Sequence, residues 1–352
     1  MSNPTDSALG KRLVSARSLT DILRGAGTLP RGSITSLAIT RQIRTDISNL
    51  VFVAVTYSHD ARALPSRLLL KWPLREVPIP GGDEAEPNFY RELAPSLPSP
   101  PIVKCLAIAA ASSAPQWILL EDLRETHTNP PWPLAPAAAH VENAVAVLAQ
   151  VHAHWWESPT LGRTVGTVHT DSGLRRMVQG FAAKLPGFLD ALGDTVSTDD
   201  REMLERVFTS SLAPWLRLLD PRALTVVHGD AHTWNFLFPR AGHDPPYLID
   251  WQVWHVDLGV RDLAFMITLH WDAARRREFE LHLLRHYHRR LVAGGVTDYA
   301  FADVLLDYRR CAIRNLTFPI ILWSRGMREE AWRQRLTNAI ASYRDLHCAE
   351  LL

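Results

Sequence analysis

The spacing of the apolar residues changes about a third of the way along this sequence of 352 residues. Short β-branched or apolar runs, separated by polar turns, fill the first third and predict the strands of a small antiparallel sheet. After residue 137 the apolar residues recur at helical spacing over long segments, which predicts a mainly helical part. Because one hydrophobic core rarely supports a chain of this length, we expect two lobes with separate cores.

These two patterns predict the following elements. Strands are predicted over residues 33–40, 50–57, 67–72 and 117–120, and a helix over 84–97. Longer helices are predicted over 139–156, 172–192, 199–219, 271–293, 298–323 and 329–346. Three short apolar runs interrupt the helical part and predict strands around polar loops, at 224–227, 236–238 and 247–249. We therefore expect an α+β fold made of a lead-in (1–25), an N-terminal lobe (26–122) and a C-terminal lobe (123–352).

The charge balance and the cysteines argue against several classes of partner. The chain has 38 basic and 37 acidic residues, so its net charge of +1 produces no field that would attract nucleic acid or a membrane surface. Its three cysteines lack the short spacings of zinc and redox motifs. The sequence also has no secretory signal pattern and no run of about 18 apolar residues that would span a membrane. We expect a soluble, cytoplasmic protein that binds neither nucleic acid nor membranes; the sequence leaves monomer and homodimer open.

Two acids and an amide lie on the loops beside the three short strands. The segment H-G-D-A-H-T-W-N places Asp230 and Asn235 five residues apart, and L-I-D-W-Q places Asp250 directly after the third run. Phosphoryl transfer from ATP requires magnesium on the phosphates and a carboxylate that orients the attacking hydroxyl. Asp230 can orient the hydroxyl, while Asn235 and Asp250 offer the oxygen ligands that magnesium prefers. This combination predicts an oxygen-lined magnesium site suited to phosphoryl transfer.

The order H-G-D-x-x-x-x-N and then I-D-W resembles the catalytic and metal-binding motifs of aminoglycoside phosphotransferases and their relatives, the choline kinases and ecdysteroid-kinase-like proteins. The resemblance implies a two-lobed protein-kinase-like fold, ATP and magnesium as cofactors, Asp230 as catalytic base, and Asn235 and Asp250 as metal ligands. The segment D-L-G-V-R-D-L-A is similar to the D-P-x-x-D-L-A segment of the family, although the proline is absent, and we expect Asp262 to act as a structural support. The helical segments look closest to the ecdysteroid-kinase-like branch.

The N-terminal third supplies the residues expected to bind the nucleotide. Lys71 ends the third predicted strand, where a kinase lysine contacts the α- and β-phosphates. The segment E-P-N-F-Y-R-E-L resembles the E-x-x-F-Y-x-x-L helix of the family, which implies that Glu86 pairs with this lysine; Glu92 is the alternative. The segment L-L-E-D-L resembles the hinge between the lobes, so backbone groups around Glu121 and Leu123 are expected to pair with the adenine edge.

The loop expected to cover the nucleotide departs from the family. Residues 41–49, between the first two predicted strands, contain no glycine that would let the backbone approach the phosphates closely. Side chains of Thr45, Ser48 or Asn49 are candidates to take over this contact, and a looser lid is the other possibility.

The sequence leaves two other functions open, and it also restricts the chemical class of the acceptor. A metal-dependent hydrolase would use a ligand set drawn from His228, Asp230, His232, His255 and Asp257. A second rival is a homologue that binds a nucleotide or small molecule but has lost catalysis. The segment 268–352 has more Arg than Asp plus Glu and many aromatic residues, which argues against a polycationic aminoglycoside. We expect the acceptor to be a neutral or partly apolar small molecule with a hydroxyl group.

Overall fold

The computed structural model describes residues 8–45, 47–61, 64–74, 82–98, 101–111, 116–131, 137–209, 212–242 and 244–352. The chain forms two compact units: Met1–Pro130 with Trp234–Trp254, and Pro131–Thr233 with His255–Leu352. The segment 234–254 belongs to the first unit: its strand at 236–239 pairs with a strand at 127–128, and its strand at 247–248 pairs with the one at 236–239. The lobe boundary expected from the sequence, after residue 122, stays a prediction.

In the described part of the first unit, five antiparallel strands form a sheet of order β1-β2-β3-β5-β4. These strands are β1 (Ile34–Arg44), β2 (Ser48–Tyr57), β3 (Arg67–Pro73), β4 (Cys105–Ile108) and β5 (Ile118–Glu121). All but β4 were predicted; β4 has only four residues and no apolar alternation to mark it. Two helices, α1 (Ala8–Leu13) and α2 (Ala16–Gly25), bury leucines against β2 and β3 in one hydrophobic core.

The helix predicted over 84–97 is divided into three conformations. It begins as α3 (Ala85–Asn88), widens into a π-helical turn at Phe89–Leu93, and ends as a 3-10 turn at Ala94–Ser96. Phe89 and Leu93 are fully buried, so the spacing that predicted a helix correctly identified its buried face. π-helical turns are often found at functional sites, and this one begins three residues after Glu86.

The remaining strands are short. They are β6 (His127–Thr128), β7 (Leu224–Val227), β8 (Phe236–Pro239), β9 (Tyr247–Leu248) and β10 (His255–Leu258). Strands β6, β8 and β9 form a three-stranded sheet in the first unit, and β7 pairs with β10 in the second. The three short apolar runs seen in the sequence correspond to β7, β8 and β9.

The second unit is mainly helical, as predicted. Its helices are α4 (Ala138–Trp155), α5 (Asp171–Leu192), α6 (Thr198–Thr209), α7 (Ala213–Leu216), α8 (Val260–Ala264), α9 (Ala273–Ala293), α10 (Phe301–Asn315), α11 (Thr317–Ser324) and α12 (Glu329–Asp345). The helix predicted over 298–323 is two helices, because Pro319 cannot donate a backbone hydrogen bond to the preceding turn. Helix α8 was not predicted: it and the π-helical turn after it are buried on nearly all sides and show no helical alternation. Within the ranges given above, no helix is long and apolar enough to cross a membrane.

The segment without glycine, 41–49, forms a tight β-hairpin. Strands β1 and β2 pair up to Arg44 and Asn49, and Thr45 closes the turn. Thr45 Oγ1 accepts hydrogen bonds from the N–H groups of Ile47 (3.3 Å) and Ser48 (2.9 Å), and Thr45 N donates to Ser48 O (2.9 Å). Ser48 and Asn49 therefore belong to a buried strand and do not lie at the tip of a loop. Residue 46 lies outside the described residues.

The side chain of Thr45 should carry much of the stability of this turn. We expect Thr45→Val to lower the free energy of unfolding by about 1 kcal/mol, because two backbone N–H groups lose their acceptor. Thr56→Val is the control, since Thr56 lies exposed within strand β2 of the same hairpin, opposite Ser36, where valine is well tolerated. Urea unfolding measures both. Equal stability of the two variants would show that Thr45 does not hold the turn.

Candidate active site

Lys71 lies on the central strand of the five-stranded sheet. It is opposite Leu50 of β2 and Ile118 of β5. The alternating residues Leu68 and Leu70 point into the core formed with α1 and α2, so Lys71 points to the other face of the sheet. A buried strand thus presents one amine on the face away from that core.

Two carboxylates contact this amine. Lys71 Nζ lies 2.6 Å from Asp250 Oδ1 and 2.7 Å from Glu86 Oε2. The side chains of Lys71 and Glu86 are 8% and 5% exposed, whereas that of Asp250 is 34% exposed. The structure therefore pairs Lys71 with Glu86, and not with the alternative Glu92. Pro87 is accommodated because Glu86 lies in the first turn of α3.

The charges of this cluster do not cancel. Burial alone would lower the pKa of Lys71, but the carboxylates of Asp250 and Glu86 outweigh burial and raise it. Burial raises the pKa of Glu86; the ammonium of Lys71 opposes this rise and the charge of Asp250 adds to it. Two carboxylates share one ammonium, which leaves a formal excess of one negative charge. This excess lies at Asp250, the most exposed member, where a cation can approach.

The backbone of Asp250 is held in an uncommon conformation. Its φ is +70°, in the left-handed region, which costs a residue other than glycine about 1–2 kcal/mol. The next residue, Trp251, is fully buried and stacks on Phe89 with ring centroids 3.8 Å apart. Trp251 N also donates to Glu86 Oε1 at 3.3 Å. Packing around Trp251 therefore fixes the direction of the Asp250 carboxylate.

Asn235 lies beside Asp250 at one end of the β8–β9 pair. Phe236 is opposite Leu248 in this pair, and Ile249 N donates to Asn235 O at 2.9 Å. The residues that flank the two strands, Asn235 and Asp250, are consequently neighbours at the same end. Both carry the hard oxygen atoms that suit magnesium, and the excess negative charge nearby suits a cation, so these residues fit the predicted metal.

Two further side chains, those of Asn129 and Gln252, hold this region. Asn129 Nδ2 donates to the carbonyls of Trp234 (2.8 Å) and Phe236 (3.1 Å), on either side of Asn235. Gln252 Nε2 donates to Ser48 Oγ at 2.7 Å, which ties the segment after Asp250 to strand β2. Side-chain bonds of this kind join positions up to 204 residues apart and leave no local pattern.

The predicted hinge residues end and follow strand β5. Glu121 N donates to Lys104 O at 3.0 Å, and Leu123 O accepts from Thr126 N (3.0 Å) and His127 N (2.8 Å). These bonds fix the backbone of the segment. The role of Glu121 and Leu123 toward adenine stays a prediction.

The loop that carries Asp230 is in the second unit and is held by Asp262. This fully buried carboxylate accepts from His228 N (2.7 Å) and Gly229 N (2.9 Å). Gly229 has a φ of +83°, which favours glycine at this position. His228, also fully buried, accepts from Asp230 N through its Nδ1 at 3.3 Å, so its side chain braces the loop. Asp262 and His228 are structural supports of Asp230.

Two basic side chains, those of His232 and Arg335, interact with Asp230, whose own side chain is 37% exposed, and His270 lies next to His232. His232 Nε2 lies 3.5 Å from Asp230 Oδ2, and the ring of His270 meets that of His232 with centroids 5.2 Å apart. Burial holds the pKa of His270 well below its usual value, and the charges of His232 and Arg335 add to this effect. Burial also lowers the pKa of Arg335, which the charge of Asp230 partly offsets. Sequence reasoning missed His270 and Arg335, which are far from Asp230 in the chain.

The ligand set of the hydrolase hypothesis is engaged in other interactions. Asp257 lies in β10, and its buried carboxylate accepts from Arg314 Nη1 at 3.0 Å. Burial alone would raise the pKa of Asp257, but Arg314 and His255 hold it well below its usual value. Among the residues that the structure describes, no group of three or more His, Cys, Asp and Glu side chains is arranged to hold a metal ion. The geometry gives the hydrolase hypothesis no support.

The chain belongs to the phosphotransferase enzyme family, whose model matches residues 40–305. Its fold is similar to choline kinase from Cryptosporidium parvum Iowa II (TM-score 0.58, 13% identity, 90% of this chain and 91% of that one). It is also similar to macrolide 2'-phosphotransferase from Brachybacterium faecium (TM-score 0.53, 16% identity, 92% and 97%). A third similar structure is the GDP complex of aminoglycoside 2'-phosphotransferase-IIIa (TM-score 0.53, 12% identity, 96% and 99%). No curated protein matches the sequence. The predicted kinase-like fold and family are confirmed; the ecdysteroid-kinase-like branch stays a prediction.

The backbone at Asp250 allows a test of the strain. We expect Asp250→Ala to be less stable than Asp250→Asn by at least about 1 kcal/mol, because both lose the charge, but alanine tolerates the left-handed region less well and also removes the oxygen that accepts from Lys71. The same two substitutions at Asp60, an exposed residue with ordinary backbone, should differ little. Urea unfolding of the four variants measures the difference. An alanine variant as stable as the asparagine variant would contradict the strained geometry.

Proposed function

We propose that this protein is an ATP- and magnesium-dependent phosphotransferase that moves the γ-phosphoryl group of ATP to a hydroxyl of a small molecule. The observation that carries the proposal is the buried amine of Lys71 held between Glu86 and Asp250. A purely structural role explains it poorly, because replacing a buried ion pair by apolar residues is often neutral or stabilising.

Each member of the cluster would have a role in binding the nucleotide and its magnesium ion. Lys71 would contact the α- and β-phosphates, and Glu86 would keep its ammonium in position. Asn235 and Asp250 would hold magnesium, which when bound neutralises charge on the β- and γ-phosphates. Backbone groups around Glu121 and Leu123 would pair with the adenine edge.

Asp230 would act in the transfer of the phosphoryl group to the acceptor. The acceptor oxygen forms a bond to the γ-phosphorus while the bond from that phosphorus to the β–γ bridging oxygen breaks, and the hydroxyl proton passes to Asp230. The carboxylate is exposed enough to meet an acceptor, and the bonds to Asp262 and His228 preorganise its loop. Asn235 is five positions after Asp230 in the chain, so the Cα atoms of the two residues are at most about 18 Å apart.

The charges around Asp230 support an acceptor that is neutral or partly apolar. An ammonium group bound there would meet the guanidinium of Arg335, which is already half-buried beside Asp230. Like charges in a partly desolvated site repel, so a polycationic acceptor is disfavoured. Use of the cytoplasmic ATP pool agrees with a cytoplasmic location.

The rival proposal is a homologue that binds a nucleotide without catalysis, and an assay of ATP consumption separates the two. We expect magnesium-dependent ATP consumption with neutral hydroxylated compounds, at higher kcat/KM than with kanamycin, and no consumption with EDTA. Nucleotide binding without turnover on a broad library of hydroxylated compounds would favour the rival. Efficient phosphorylation of kanamycin, with none of neutral alcohols and sugars, would contradict the acceptor class.

Asp230→Asn tests the proposed base. We expect turnover to fall by about 10²–10⁴-fold, because the proton acceptor is lost, while ATP affinity changes little. Asp190→Asn, at an exposed position of α5, is the matched control and should keep full turnover. Steady-state kinetics and calorimetric titration of ATP measure the two quantities. Wild-type turnover in Asp230→Asn would exclude this residue as the base.

A further inference from the structure

A chain of buried hydrogen bonds continues beyond Asp262, on the side away from the Asp230 loop. His152, on α4, lies with its Nε2 3.1 Å from Asp262 Oδ2. Its other ring nitrogen, Nδ1, lies 2.9 Å from the hydroxyl of Tyr287 on α9. All three side chains are fully buried. Helix α9 is thereby connected to the backbone of His228 and Gly229 through three side chains, those of Tyr287, His152 and Asp262.

The chemistry of these groups fixes the direction of each bond. Burial alone would raise the pKa of Asp262, but the bond from His152 and the neighbouring groups lower it, so the carboxylate is ionised and only accepts. His152 Nε2 must then donate to Asp262. With the proton on Nε2, Nδ1 of the ring is an acceptor for the hydroxyl of Tyr287. One tautomer of His152 satisfies both partners.

Gly259 provides the space that this arrangement needs. Its backbone is helical (φ −55°), so no unusual conformation requires a glycine here. A Cβ at this position would lie 2.5 Å from the hydroxyl of Tyr287, 3.1 Å from the ring of Trp156 and 3.2 Å from Thr225 Cγ2. Real Cβ atoms essentially never approach other atoms as closely as 2.5 Å. A side chain at 259 would therefore displace the hydroxyl from His152.

We infer that Tyr287 is a positioning residue for the catalytic loop, acting through the tautomer of His152 and the carboxylate of Asp262 on the amides of His228 and Gly229. Losing the hydroxyl leaves Nδ1 of a buried imidazole without its donor, and the ring can then turn or change tautomer. Either change weakens the bond to Asp262, which lets the carboxylate move away from the two amides. We call this series of hydrogen bonds, from Tyr287 through His152 and Asp262 to the two amides, the brace. The link between the brace and catalysis rests on the proposed function, whereas the brace itself does not.

Tyr287→Phe tests the brace, and Tyr308→Phe is its matched control. Tyr308 is also a fully buried tyrosine of the second unit, but its hydroxyl donates to Glu280 at 2.7 Å and has no connection to Asp262. Amide hydrogen exchange of His228 and Gly229, corrected for the global stability of each variant, is the measurement. We expect exchange at least tenfold faster in Tyr287→Phe and unchanged in Tyr308→Phe. Equal exchange in the two variants would overturn the inference.

A second variant covers the case in which Tyr287→Phe does not fold. Gly259→Ala keeps the hydroxyl but pushes it away from His152, so it should accelerate the same two amides. Exchange as slow as in the wild type would again contradict the brace. The ¹⁵N shifts of the His152 ring give an independent readout: the wild type should show the Nε2–H tautomer with a hydrogen-bonded Nδ1, and the opposite tautomer would refute the chain of bonds.

Kinetics separates this inference from the proposed function. The kinetics are measured with an acceptor that stimulates ATP consumption by the wild type. Tyr287→Phe should lower kcat several-fold and leave the KM for ATP unchanged, whereas Tyr308→Phe should change neither. Faster exchange in a protein whose wild type transfers no phosphoryl group would support the brace and contradict the kinase. Normal phosphotransfer, with exchange unaffected by Tyr287→Phe, would support the kinase and contradict the brace.

Discussion

The sharing of one buried ammonium by two carboxylates constrains the whole first unit. Lys71, Glu86 and Asp250 come from a central strand, a short helix and a loop after β9, so three separate parts of the chain must meet within hydrogen-bond distance. Desolvating these charges costs several kcal/mol each, and leaving one unpaired costs about 3–5 kcal/mol. A shift of any of the three segments is therefore strongly disfavoured. The pairing of β3 in the middle of the sheet and the packing of Trp251 on Phe89 are the means by which the fold meets this requirement.

The second unit also holds a loop through a buried charged group, but here the charge is bound by backbone amides and not by an opposite charge. There the fixed element is the carboxylate of Asp262, which satisfies two backbone amides of the loop before Asp230. In both units a side chain proposed to act in the reaction lies partly exposed on a loop, and buried partners hold the loop. The buried groups keep the loops rigid, so the proposed site residues are precisely placed. The oxygen atoms of these residues are exposed and therefore remain available to ligands.

Much of this arrangement is predictable from the sequence, and the rest is not for identifiable reasons. Strands with strong apolar runs, the long helices, and the spacing of Asp230, Asn235 and Asp250 are local signals, and local signals survive in a single sequence. The sequence shows that residues 41–49 contain no glycine, but it does not show that the hydroxyl of Thr45 closes the hairpin, because that contact depends on the folded turn. The bond from Tyr287 to His152 joins residues 135 positions apart, and no periodicity marks either of them. Buried polar contacts across helices thus remain outside the reach of pattern reasoning.

A crystal structure with magnesium and a non-hydrolysable ATP analogue tests the central claim most directly. If the charge cluster is the nucleotide site, the ammonium of Lys71 will contact the α- and β-phosphates while keeping its bond to Glu86, and the metal will bind oxygen atoms of Asn235 and Asp250. If the nucleotide binds elsewhere, with the Lys71 cluster unchanged and no metal at Asp250, the cluster is structural and the kinase assignment is wrong.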